Sequence, residues 1–148
     1  MLNVALAVHN VLRWLVLVLA VWALYRSYRG WLGGRSWQDQ DSLAGRLMTI
    51  GFDLQLLVGL FVAALSPLVR TALQNMSAIG TSDVIRFFAA EHIPVMVVAW
   101  ILVHVTSVVA NRADDDKKRH QRTAIGFSVA LALVLLAIPW FRPFLPGL

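Results

Sequence analysis

The sequence predicts an all-α integral membrane protein, a four-helix bundle with up-down-up-down topology. Three observations carry this. Of 148 residues, 59% are hydrophobic and only 14% are charged, against about half and about a quarter in an average soluble domain. The apolar residues gather in four runs, about Val4–Tyr25, Leu47–Leu65, Ile85–Ala110 and Ala124–Phe141, each near the ~20 residues a membrane span requires. Trp22, Tyr25, Tyr28, Trp31, Trp37 and Trp140 cluster near the ends of these runs, where a membrane interface favours amphipathic rings. Residues 1–148 form one transmembrane domain, because no stretch between the runs is long enough to fold by itself.

The first run follows Met1-Leu2-Asn3 with no basic residues ahead of it and continues to Leu24. That is too long for a cleaved signal, so it is expected to stay as a helix. Orientation follows from the cations. Arg26, Arg29, Arg35 and Arg46 surround the first loop, and Arg112, Lys117, Lys118, Arg119 and Arg122 the third. Only Arg70, Arg86 and Arg142 lie on the other side. The bias places the first and third loops in the cytoplasm and both termini outside. Cations concentrated in loops also account for the net charge of +5, so no nucleic-acid partner is inferred; the first partner is the lipid bilayer. The chain has no cysteine, which excludes disulfides, thiolate metal sites and redox dithiols.

The second loop, Ser66–Asp83, has helical spacing of apolar residues over Leu68–Met76 and is expected to lie on the outer surface. Thr81, Ser82 and Asp83 are candidate N-caps for the third helix. The third loop, Asn111–Arg122, reads as a solvated, charged turn, and His120 in it is assigned no role. Gly45, Gly51, Gly59 and Gly126 are expected where helices approach closely.

Ionisable residues inside a span are costly and normally face the bundle interior. The first helix carries His9, Asn10 and Arg13, the second Asp53 and Gln55, and the third Glu91, His92 and His104. At 1.5 Å per residue, His9 lies roughly 7–8 Å and His92 roughly 9 Å outward of the centres of their helices. These helices run in the same direction and lie diagonally across an up-down bundle, where facing side chains hold cofactors. Two imidazoles at one level suit the two axial positions of a haem iron, with slender Ala5, Ala89 and Ala99 leaving room for the ring. Arg13 is a candidate partner of a haem propionate, in competition with Arg70 and Arg86. Its alternative is an ion pair with Asp53 near mid-membrane. Gln55 is a candidate hydrogen-bond partner of a cofactor or of another helix. Glu91 is expected to orient His92 or another basic group. His104, roughly 18 Å deeper than His92, has no histidine at its level and reads as structural. His92 and Met96 together offer too few ligands for copper.

Four short motifs carry a resemblance. His9-Asn10-Val11-Leu12-Arg13-Trp14, Gln55-Leu56-Leu57-Val58-Gly59, Glu91-His92 followed by Met96, and Ile138-Pro139-Trp140 occur in that order. They resemble the small bacterial four-helix membrane proteins of the cytochrome b-like family. The resemblance implies one haem b, with His9 and His92 as iron ligands and Arg13, Gln55 and Glu91 around them. It also implies the bacterial cytoplasmic membrane and electron transfer, with a quinone as a further ligand and other membrane or redox subunits as partners. The competing expectation is an accessory subunit without a cofactor, whose polar residues serve packing alone.

Overall fold

The computed structural model describes residues 1–80 and 82–140. Helix α1 (Leu2–Gly33) leads into α2 (Asp39–Leu65), and the short α3 (Pro67–Gln74) is followed by a 3₁₀ turn (Met76–Gly80). Next, α4 (Asp83–Arg86), a π-helical stretch (Phe87–His92) and α5 (Ile93–Asn111) form one continuous 29-residue helix. Last comes α6 (Asp116–Ala137). Four helices are long and apolar enough to cross a membrane. Helix α1 packs on α2 and α6, and α5 on α6 and α2. The bundle is therefore a ring in which α1 and α5 are diagonal, as the sequence predicts. The α2–α5 contact is the sparsest of the four.

Three helices outrun their apolar runs at the end that carries the basic loops, hereafter the basic end. Helix α1 continues to Gly33, α2 begins at Asp39, and α6 begins at Asp116. Polar contacts hold these overhangs. Arg26 reaches from α1 to Asp41 Oδ1 at 2.6 Å and to Gln40 Oε1 at 2.7 Å. Gln38 and Asp41 form a capping box at the start of α2, which satisfies orphan N–H groups reciprocally. Asp115 caps α6 by accepting the Lys118 N–H at 2.7 Å. That hydrogen bond is the main reason its carboxyl is held below the usual carboxylate range.

The expected solvated third loop is thus largely the first turns of α6. His120, read as a loop residue, is 1% exposed. Its ring stacks on Trp37 with centroids 4.7 Å apart and fills the space above Gly30, where an added Cβ would overlap three ring atoms. Arg119 lies over the other ring system of this cluster, 4.1 Å from the Trp37 centroid. Trp37 therefore clamps the α1–α2 loop to α6, and its backbone N–H donates to Asp116 at 3.0 Å.

At the opposite end, a short helix does form in the second loop, α3, opened by Pro67, whose missing N–H costs nothing in a first turn. Ser82 caps the following helix by accepting from the Ile85 N–H; Thr81 lies outside the described residues. The expected fourth helix also ends short, at Ala137, and Trp140 turns back to donate to the Leu135 carbonyl at 2.8 Å. Phe141 lies outside the described residues. The core between the helices combines small or slender residues, Ala20, Ala23, Ala44, Ala99, Val103 and Ala130, with the larger Met48, Phe52 and Phe127. Small residues let helices approach in a medium that supplies no hydrophobic drive between them.

Gly30→Ala tests the basic-end clamp. Alanine gains about 1 kcal/mol of helix propensity over glycine. Overpacking against a wedged ring costs about 1–3 kcal/mol, and His120 cannot swing away from Gly30 without leaving Trp37. The expected result is a lower thermal midpoint for the detergent-solubilised variant, together with changed Trp fluorescence.

Candidate functional site

The candidate site is a cavity of about 290 Å³ in the half of the bundle away from the basic end. Helix α1 contributes His9, Asn10 and Arg13, α2 contributes Gln55 and Gly59, and the continuous third span contributes Phe88, His92, Met96 and Trp100. Apolar residues of α3 and α6 complete the walls. The volume lies near the lower end of the ~300–1,000 Å³ range of small-molecule and cofactor sites.

Local sequence explains how His92 is placed. Pro94 has no N–H, so an α-helical bond to the Ala90 carbonyl cannot form. The backbone adopts a π turn over Phe87–His92 immediately before it, a distortion that frequently accompanies functional sites. His92 Nδ1 lies 2.7 Å from the Ala137 carbonyl of α6. A carbonyl only accepts, so Nδ1 carries the hydrogen and the neutral ring keeps its lone pair on Nε2. This is the arrangement that orients a metal-binding imidazole.

His9 reaches the same cavity from the diagonal helix. It packs against Gly59, where a Cβ would stand 3.0 Å from His9 Cε1. Its Nε2 lies 3.3 Å from the Gln55 amide nitrogen. Three buried atoms here have no hydrogen-bond partner among the described residues: His9 Nδ1, Arg13 Nε and Gln55 Oε1. Buried polar groups are nearly always paired, and these three belong to residues lining one cavity.

The structure therefore brings His9, His92, Arg13 and Gln55 to one cavity and leaves Glu91 out of it. Glu91 points away, 50% exposed, and bonds Arg86 Nε at 2.9 Å. It satisfies the other expected alternative, a basic partner, and does not orient His92, whose Nδ1 is held by the Ala137 carbonyl instead. Ala5 and Ala99 are buried in packing contacts, and the room beside His9 comes from Gly59.

The expected Arg13–Asp53 pair does not form. Arg13 leans over the Trp14 ring at 5.2 Å. Asp53 Oδ1 accepts the Trp100 indole N–H at 2.6 Å and meets His104 Nε2 at 3.2 Å. His104 Nδ1 lies 3.1 Å from the Trp100 carbonyl. Both nitrogens of His104 thus lie beside oxygen atoms, Nε2 at Asp53 and Nδ1 at the Trp100 carbonyl. The sequence does hold a signal for this pair. Counted from the shared basic end, Asp53 is six residues into the run from Leu47, and His104 six residues into the run from Ala110. Depths taken from helix centres hide that match. Trp100 links the two sites, since it lines the cavity and bonds Asp53.

Among the described residues, no cluster of three or more His, Cys, Asp or Glu side chains has the geometry to hold a metal ion by itself. No family model matches the chain, and neither a curated protein nor a solved structure matches it.

A double-mutant cycle separates the two pairings. Asp53→Asn combined with His104→Gln should show a coupling of about 0.5–3 kcal/mol in unfolding, as contacting residues do. Asp53→Asn combined with Arg13→Gln should be additive within about 0.5 kcal/mol. The reverse pattern would restore the Arg13–Asp53 pair.

Proposed function

We propose that the chain is a membrane electron carrier that holds one haem b between α1 and α5, with His9 and His92 as axial ligands. The observation that carries this reading is the convergence of His9 and His92 on one cavity. His92 is fixed on one side by the Ala137 carbonyl, and His9 would present a lone pair on Nδ1 with the Gln55 amide turned so that its oxygen accepts from Nε2–H. The donor set suits the group. Two imidazoles are ligands that b-type iron takes, the walls are mainly apolar, and Arg13, whose Nε has no partner among the described residues, is a candidate partner for a propionate. Such a haem supplies a one-electron couple, whose potential follows from axial ligands, burial and hydrogen bonding. The residues here would bind it, orient its ligands and exclude water. The motif resemblance to cytochrome b-like proteins points the same way, and a quinone is the second ligand class of an apolar cavity with a few polar groups.

The motif resemblance points to the bacterial cytoplasmic membrane, and the charge bias supports both termini outside and the basic end in the cytoplasm. The cavity then lies in the outer half of the bilayer. With little of the chain outside its helices, electrons would be exchanged with another membrane or redox subunit.

Absorption spectra test the ligands. Purified protein should show a low-spin haem spectrum, with sharp α and β bands on reduction. His9→Ala and His92→Ala should each abolish it, and His104→Ala should retain it. A colourless preparation would support the alternative, an accessory subunit without a cofactor. Topology has its own test: a reporter after Leu148 should read as external, and one within Ala113–Arg119 as cytoplasmic. Opposite compartments would place the cavity on the inner side.

A further inference from the structure

The basic end holds a second, smaller cavity of about 40 Å³ among the end of α1, the α1–α2 loop, the start of α2 and α6. A water needs about 10–15 Å³ of such space, so the cavity admits a compact oxyanion. Arg26, Arg29, Arg35, Gln38, Asp41 and His120 line it. A tight turn brings them together. Gly34 takes a left-handed φ of 62°, and the Arg35 N–H returns to the Gly30 carbonyl at 3.1 Å. Arg35 is thereby carried back to the cavity that Arg29 and His120 line.

This cavity lacks an acceptor. His120 is 1% exposed, yet neither of its ring nitrogens has a hydrogen-bond partner among the described residues. Buried polar side chains are nearly always paired. Asp41 Oδ2 is 4.0 Å from His120 Nε2, beyond hydrogen-bond reach. That oxygen accepts the Gln38 N–H at 2.8 Å, and Asp41 Oδ1 accepts from Arg26 Nε at 2.6 Å. The carboxylate is therefore engaged on both oxygens. Arg29 bonds only the Tyr25 hydroxyl, at 3.4 Å, and Arg35 has no ion-pair partner among the described residues. Three guanidinium groups thus line the cavity against one carboxylate. The level is also informative. Tyr25, Tyr28 and Trp31 stand at the end of the first apolar run, and such aromatic belts sit at the lipid headgroups.

We infer that this cavity binds a phosphoryl group, carried by an anionic lipid headgroup or present as free phosphate. Arginine matches phosphate oxygens with paired N–H donors, and basic pockets between membrane helices bind anionic headgroups. Arg29 and Arg35 would hold the oxyanion from the open side, and a His120 N–H would donate to it from the buried side. Arg26, fixed by Asp41, supplies a stationary cation at the wall. The inference is independent of the haem reading, because none of these residues lines the larger cavity.

Thermal unfolding of the full chain in a non-ionic detergent tests it in two arms. One titrates inorganic phosphate against sodium chloride at equal ionic strength. The other titrates short-chain phosphatidylglycerol against phosphatidylcholine. A ligand of the folded chain raises the midpoint saturably. A rise with phosphatidylglycerol assigns the headgroup, and a rise with phosphate alone assigns the free ion. Arg29→Gln with Arg35→Gln, both exposed residues, should weaken the apparent affinity by about tenfold or more, the scale of lost charge-assisted hydrogen bonds. Arg112→Gln with Lys117→Gln removes the same charge from the same end, outside the cavity, and should leave the affinity unchanged. His120→Phe should weaken binding as well; if it does not fold, the two arginine substitutions decide. No saturable rise in either arm would overturn the inference, as would equal losses in the two double variants.

Discussion

Hydrocarbon supplies no hydrogen-bond partners, and that constraint organises this bundle. Every ionisable group in the spans has to be matched by another helix, by a bound group or by a second protein. At the basic end, where helices project beyond the apolar runs, Arg26, Gln38, Gln40 and Asp41 satisfy one another, while Arg119 Nε and both ring nitrogens of His120 are buried with no hydrogen-bond partner among the described residues. Deeper in, the α2–α5 seam is matched on one oxygen of Asp53 and open on the other. In the far half, His9, Arg13 and Gln55 each retain an unpaired buried atom around one cavity. The proposed electron-carrier function is assigned to the unmatched groups of the far half, because there they line one cavity.

Backbone features create the room for this. The π turn lies just ahead of Pro94, whose missing N–H removes an α-helical hydrogen bond there, and His92 is the last residue of that turn. Gly59 lets the His9 ring lie against α2. Trp100, tied to Asp53, then forms a shared wall between the cavity and the polar seam. A change at the seam therefore has a physical route to the cavity, through the position of one indole.

The spans and their ring order were legible because length, hydropathy and short loops all point to one arrangement. Matched depth was enough to bring His9 and His92 to one cavity. Helix ends were not legible, because polar residues such as Arg26 and His120 continue α1 and α6 through contacts made only in the folded bundle. The Arg13–Asp53 expectation failed because depth was reckoned from the centre of each helix, and spans of unequal length do not share centres. Which of its two expected partners Glu91 takes was not legible: across the π turn it reaches Arg86, five residues back, while His92 lines the cavity.

The central claim is one cofactor held by two diagonal helices. Its most direct measurement is the haem content of the purified chain, taken as pyridine haemochrome against protein quantified by amino-acid analysis. One haem b per chain is the result this account predicts. A value near zero after expression in haem-replete cells, or a value near two, would contradict it.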